Sequence, residues 1–233
     1  MASELPLSIA VLRYLHIFFG SVAFVCGPGA LLTNKGGSAH RTWGKVFFWA
    51  LTATTFLSLI LGLWRPNYFL FLVGLFSFYL AFAGYRVLYR KRPDLGQRAT
   101  ALDYVVTVIC LAASLGLLVM SVVKPVFVRG GVDPVLSVFG LIGMAGTIRD
   151  LRVFRMKFDL AKHRRDWIYK HIGNMIGAYI AALTAFSATT MHFLPPILAW
   201  LWPTAVFVPV IVWNIRKYKR VGSTVPVPVP ENR

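Results

Sequence analysis

The chain has 233 residues, of which 57% are hydrophobic and only 14% are charged, and its formal net charge is +17. So few charged groups cannot cover the surface of a soluble globule of this size, which favours a lipid bilayer as the solvent. Basic residues at the ends of membrane helices account for the positive charge, so nucleic-acid binding is not expected.

Seven apolar runs follow one another, each long enough to cross a hydrocarbon core about 30 Å thick as a helix. Barrel strands would alternate apolar and polar residues over about 10 positions, so we predict an all-α transmembrane bundle. The predicted spans are 8–32, 41–63, 67–89, 100–123, 134–151, 167–191 and 197–216. Residues 1–220 are expected to form a single membrane domain, and residues 221–233, in which Val and Pro alternate from 225 to 230, a flexible tail.

The basic residues indicate how the spans are oriented. All 25 Lys and Arg residues except Arg13, Arg65, Lys124 and Arg129 lie in or beside the first, third and fifth connections and the C-terminal tail. Because short basic loops stay in the cytoplasm, we predict the N-terminus outside and the C-terminus inside. The expected partners are the bilayer and, on the cytoplasmic side, anionic lipid head groups.

Small residues recur at helical spacing in two spans, and small side chains let helices pack closely in lipid. They are Gly140, Gly143 and Gly146 in the fifth span and Gly173, Gly177, Ala181 and Ala185 in the sixth. Helix packing is the favoured interpretation. A flat cofactor held between helices and a homo-oligomer joined through these faces are the alternatives.

Three histidines form the best candidate site. His40 precedes the second span, and His163 and His171 flank the start of the sixth, so all three are expected at one level on the cytoplasmic side. Neutral imidazole is a good ligand for haem iron, zinc or copper, and two histidines on different helices at one depth can clamp a haem. The alternative interpretation is that these imidazoles contact lipid head groups.

Other polar side chains lie within or beside the spans. On the outer half, His16 follows Arg13 by one turn and forms a weaker candidate pair with His192. Asp103 is the only carboxylate predicted clearly within a span, where a salt bridge to an arginine is favoured and a proton or cation site is the alternative. Asn174 in the sixth span is placed to orient an imidazole or to hydrogen-bond across the bundle.

Short motifs resemble the family of bacterial multispan membrane proteins catalogued as domain of unknown function 2306. The motifs are His16 with Gly20, His40-Arg41 with Gly44, and the stretch His163-Arg164-Arg165-Asp166-Trp167-Ile168. The resemblance implies a bacterial inner-membrane protein and supplies no activity. It also implies that one common arrangement includes His16, His40, Arg41, His163 and Trp167.

The first class of function left open is a haem-binding or electron-transfer membrane protein with haem b as its cofactor. The candidate ligands are His40, His163 and His171 on the inner side and His16 on the outer side, with Arg41 or Arg13 pairing with the propionates.

The second class is a small-molecule or ion carrier or binding protein that uses a polar cleft within the membrane. That cleft would be lined by His16, Asp103, Asn174 and His171. A structural or assembly subunit, whose polar residues only join helices, is the third. The sequence has no phosphate-binding glycine loop, zinc-protease motif or nucleophile elbow, so no catalytic residue is predicted and enzymatic activity stays an open question.

Overall fold

The computed structural model describes residues 6–64, 68–124, 131–156 and 165–223. Within these ranges the chain forms seven long helices and no strand. They are α1 (Leu7–Leu32), α2 (Ser38–Trp64), α3 (Tyr68–Arg86), α4 (Ala101–Val123), α5 (Pro134–Arg155), α6 (Asp166–Thr190) and α7 (Pro196–Ser223). All seven are long and apolar enough to cross a membrane. The predicted all-α bundle of seven spans is confirmed.

Two helices extend beyond their predicted spans. The last turn of α5 carries Arg152 and Arg155, and the last turn of α7 carries Arg220. Basic side chains interact favourably with the unpaired carbonyls at a helix C-terminus, so these helices continue past the end of the apolar run. Helix α7 therefore enters the predicted tail as far as Ser223. The rest of that tail, 224–233, lies outside the described residues.

Helix α3 is central, since it packs against α2, α4, α5 and α6. Helix α1 packs on α2 and α6, and α7 packs on α6 and more sparsely on α5. An apolar cluster that includes Ala23, Phe47, Ala178 and Tyr179 joins α1, α2 and α6. The loops and helix ends that surround the candidate site are supported on this cluster.

The C-terminal ends of α1, α3, α5 and α7 meet the N-terminal ends of α2, α4 and α6, and we call this the basic end of the bundle. Tyr104 near the start of α4 donates a hydrogen bond to the carbonyl oxygen of Phe154 near the end of α5, at 3.3 Å. Arg165, just before α6, reaches the carbonyl oxygen of Tyr218 near the end of α7, at 3.5 Å. The described helix ends and connections that are rich in Lys and Arg thus lie at one end, while the side of the membrane they face stays a prediction.

The glycines of α5 bring that helix close to α4. A Cβ added to Gly143 would lie 2.3 Å from Ser114 Oγ, and one added to Gly140 would lie 2.7 Å from Leu118 Cγ. Both contacts are too short for a side chain, so these positions support packing within one chain. A homo-oligomer stays a prediction.

Candidate functional site

A cavity of about 440 Å³ opens at the basic end of the bundle. We call it the main cavity. It lies between α1, α2, the end of α3, α6 and α7, and along α6 its wall extends from Trp167 to Tyr179, about 18 Å of helix. Its volume is in the range of small-molecule sites, about 300–1,000 Å³. The cavity therefore reaches from the basic end well into the apolar part of the bundle.

The mouth of the main cavity is basic. Four cations line it, namely Lys35, Arg41, Lys45 and Lys91, and no Asp or Glu is found among its described lining residues. Burial, followed by the positive charge of nearby Lys217, lowers the pKa of Lys35. An anion at the mouth would relieve this repulsion, whereas a second cation would increase it.

Two of the four cations already have partners in the fold. Lys35 donates to the C-terminal carbonyls of α1, including that of Ala30 at 3.1 Å, and so caps that helix. Lys91 lies over the ring of Trp167, with its Nζ 4.6 Å from the ring centre. Arg41 and Lys45, one turn apart on α2, form no ion pair with any described carboxylate. Arg41 and Lys45 are therefore the two cations at the mouth that are available to a ligand.

His40 and His171 both line the main cavity, and their rings lie next to each other. His40 Nδ1 donates to the carbonyl oxygen of Ala30 at 2.9 Å, and His171 Nδ1 donates to the carbonyl oxygen of Gly84 at 2.8 Å. The ring centres are 6.3 Å apart and the ring planes are 80° from parallel. Because a carbonyl oxygen only accepts, each Nδ1 carries a proton, and Nε2 of each neutral ring keeps its lone pair.

When a histidine binds a metal through one ring nitrogen, the other ring nitrogen usually donates to a carbonyl or carboxylate oxygen. Nδ1 of His40 and of His171 donates to a carbonyl oxygen in this way. The described part of the chain contains no group of three or more His, Cys, Asp or Glu residues that could hold a metal ion. A haem differs from such a site because its iron takes one or two ligands from the protein.

The other predicted histidines lie elsewhere. His163 falls outside the described residues. His16 Nδ1 donates to the carbonyl oxygen of Thr54 on α2 at 2.9 Å, but His16 lines neither of the cavities described. Arg13 is exposed on α1, and His192 is exposed after the end of α6, away from the basic end.

Asp103 has a structural role at the start of α4, where it is only 1% exposed. Its Oδ1 accepts a bond from Arg86 Nε at 3.1 Å and lies 2.7 Å from Arg90 Nη1, as an ion pair without hydrogen-bond geometry. Its Oδ2 accepts from Arg86 Nη2 at 2.9 Å and from the backbone N–H of Thr100 at 2.8 Å, which completes a capping box. The predicted salt bridge of Asp103 is confirmed.

The prediction that Asp103 is the only carboxylate clearly within a span is wrong. Asp150 on α5 is 4% exposed, pairs with Lys170 of α6, and accepts a hydrogen bond from Tyr79 Oη at 2.5 Å. The predicted fifth span ended one residue later, whereas the helix continues for another turn and holds Asp150 in its interior. The spacing from Gly143 could have indicated that Asp150 is buried, because Asp150 follows Gly143 by two helical turns and lies on the same packed face of α5.

A second, smaller cavity of about 180 Å³ contains this ion pair. We call it the minor cavity. It lies on the opposite face of α6, since Lys170, Gly173 and Asn174 line it while His171 and Met175 line the main cavity. The predicted polar cleft is therefore divided: His171 and Asn174 lie on different faces of α6, and neither His16 nor Asp103 lines a described cavity.

The fold and the two cavities define a class, a multi-pass integral membrane protein with a ligand-sized cavity at its basic end. No protein-family model, curated protein or solved structure matches this chain. Membership of the family of domain of unknown function 2306, and with it a bacterial inner-membrane location, stays a prediction.

Proposed function

We propose that the protein binds one haem b in the main cavity, with His40 and His171 as its two axial ligands, and that it transfers electrons. The observation that supports this most is the separation of the two rings, 6.3 Å between centres. Metal–nitrogen bonds are about 2.0–2.1 Å long, and the ring centre lies about 1.1 Å behind the nitrogen. Two imidazoles on opposite sides of one metal then have centres about 6.3 Å apart, against about 5.1 Å for a tetrahedral metal.

The orientation of the two rings is compatible with this arrangement. Two imidazoles that bind one metal from opposite sides can have any angle between their ring planes, so planes 80° from parallel are compatible with such a pair. The hydrogen bonds from Nδ1 of His40 and His171 to backbone carbonyls hold both rings in place and increase the basicity of Nε2. These hydrogen bonds support the proposal because both imidazoles are already held without a ligand.

The rest of the main cavity suits the two parts of a haem. Aromatic and aliphatic side chains, including Tyr85, Ile172 and Tyr179, form an apolar wall for the porphyrin. Arg41 and Lys45 at the mouth are placed to pair with the propionates. Arg13, the alternative partner for a propionate, lies away from this cavity. His163 stays a prediction as a ligand.

His40 and His171 would both hold the haem iron, which would leave no position open for oxygen or a substrate. The haem would then supply a change of oxidation state without binding a reactant. Electron transfer is accordingly the activity that we propose, rather than oxygenase chemistry.

The visible spectrum of the purified protein tests the proposal. Haem is supplied during expression, and spectra are recorded before and after dithionite. We expect a Soret band and the sharp reduced bands of a six-coordinate, low-spin haem. His40→Ala and His171→Ala should each abolish the low-spin spectrum, because either one removes an axial ligand.

His16→Ala is the matched control, since this Nδ1 also donates to a carbonyl of a neighbouring helix while the ring lines neither described cavity. The control should keep the wild-type spectrum. A folded wild-type protein without a Soret band would refute the proposal, and so would a low-spin spectrum that survives both His40→Ala and His171→Ala.

A further inference from the structure

The minor cavity contains hydrogen-bond donors that the fold does not use. Lys170 and Asp150 form an ion pair, and Tyr79 Oη donates a hydrogen bond to the other carboxylate oxygen of Asp150 at 2.5 Å. Arg149 also lines the cavity and forms no ion pair with a described carboxylate. Asn174 lines it too, and its amide has no hydrogen-bond partner among the described residues. A guanidinium and an amide are therefore free to bind a ligand.

The charge of this cavity favours an anion. Its described lining carries two cations, Arg149 and Lys170, and one carboxylate, Asp150, so one positive charge is in excess. Arg149 is exposed and carries this excess charge at the edge of the cavity, where its positive potential attracts anions from solvent. Both oxygens of Asp150 are already engaged, which limits its repulsion of an incoming anion.

The size and shape of the minor cavity restrict the anion further. Its volume of about 180 Å³ corresponds to about six water molecules at roughly 30 Å³ each. The planar guanidinium of an arginine matches the two oxygens of a carboxylate better than a spherical halide. Next to these donors, a Cβ added to Gly173 would meet no atom within 4 Å, so the space beside α6 is open.

We propose that the minor cavity binds a small carboxylate of about six or fewer non-hydrogen atoms. In this proposal the carboxyl group accepts hydrogen bonds from the guanidinium of Arg149 and from the amide of Asn174, both of which line the cavity. This site is independent of the haem proposal, because it occupies the other face of α6.

Thermal unfolding of the detergent-solubilised protein tests this site, because a ligand that binds the folded state raises the midpoint in a saturable way. The probes are sodium acetate and sodium lactate, compared with sodium chloride at the same ionic strength. We expect saturable stabilisation by at least one carboxylate and none by chloride. Arg149→Gln should weaken carboxylate binding about tenfold or more, because a charge-assisted bidentate contact is lost.

Arg152→Gln is the matched control, since Arg152 is exposed on the same helix and lines neither described cavity; it should bind like the wild type. Gly173→Val adds bulk to the cavity wall at a position where a Cβ meets no atom within 4 Å, and it should weaken binding even if Arg149→Gln does not fold. Equal stabilisation by chloride, an unchanged affinity in Gly173→Val, or the absence of any saturable effect would overturn the proposal. None of these outcomes bears on the haem spectrum.

Discussion

Asp103→Asn is expected to be strongly destabilising for a conservative change. The asparagine keeps the shape of the side chain but replaces an anionic oxygen, so Arg86 and Arg90 lose their counter-charge. Their side chains are 22% and 10% exposed, and burial lowers the pKa of Arg90. Removing one partner of a buried ion pair costs about 3–5 kcal/mol. We expect the lower end of that range, because Arg86 still reaches solvent.

For a chain of this length, 1 kcal/mol shifts the unfolding midpoint by about 2–4 °C, so Asp103→Asn should lower it by about 6–12 °C. Thiol-reactive dye fluorescence is a suitable assay, because Cys26 and Cys110 are both buried and free. Thr100→Val is the control: it removes one capping hydroxyl and should cost only about 1 kcal/mol. A midpoint for Asp103→Asn as high as that for Thr100→Val would refute the structural role assigned to Asp103.

Two further predictions concern the main cavity. A Cβ on Gly27 would lie 2.4 Å from the ring of Tyr179, so Gly27→Ala should cost about 1–3 kcal/mol in thermal unfolding. Gly44→Ala, in the same cavity wall but with no atom within 4 Å, should not destabilise, and equal midpoints would contradict this packing. Replacing both Arg41 and Lys45 by Gln should weaken haem binding by about 2- to 30-fold and leave the low-spin spectrum unchanged, because exposed ion pairs contribute about 0.2–1 kcal/mol each. In a haem titration, an unchanged affinity at low salt would exclude these two residues as the propionate partners.

The sequence predicts what depends on local composition. Continuous apolar runs and the position of basic residues are properties of each segment, so seven spans and the level of His40 and His171 follow without knowledge of the packing. Which helices are neighbours depends on the fit of side chains across the whole bundle. The carbonyls of Ala30 and Gly84, which hold the two imidazoles, therefore could not be anticipated. For Asp150, the spacing from Gly143 indicates the packed face of α5, but its partners Tyr79 and Lys170 depend on contacts with α3 and α6.

The depth of the polar groups in the membrane limits which electron-transfer routes the bundle can provide. The three ion pairs formed by Asp103 and Asp150 lie at the basic end, as do His40 and His171. Ionised groups are less costly near the interface than at the centre of the bilayer, which favours this placement. The haem that we propose would lie in the half of the membrane next to the basic end, so it would exchange electrons with that side. Transfer across the whole membrane would need a second centre in the other half. His16 has a fixed Nδ1 but lines neither described cavity, so the proposed function includes only one haem per chain.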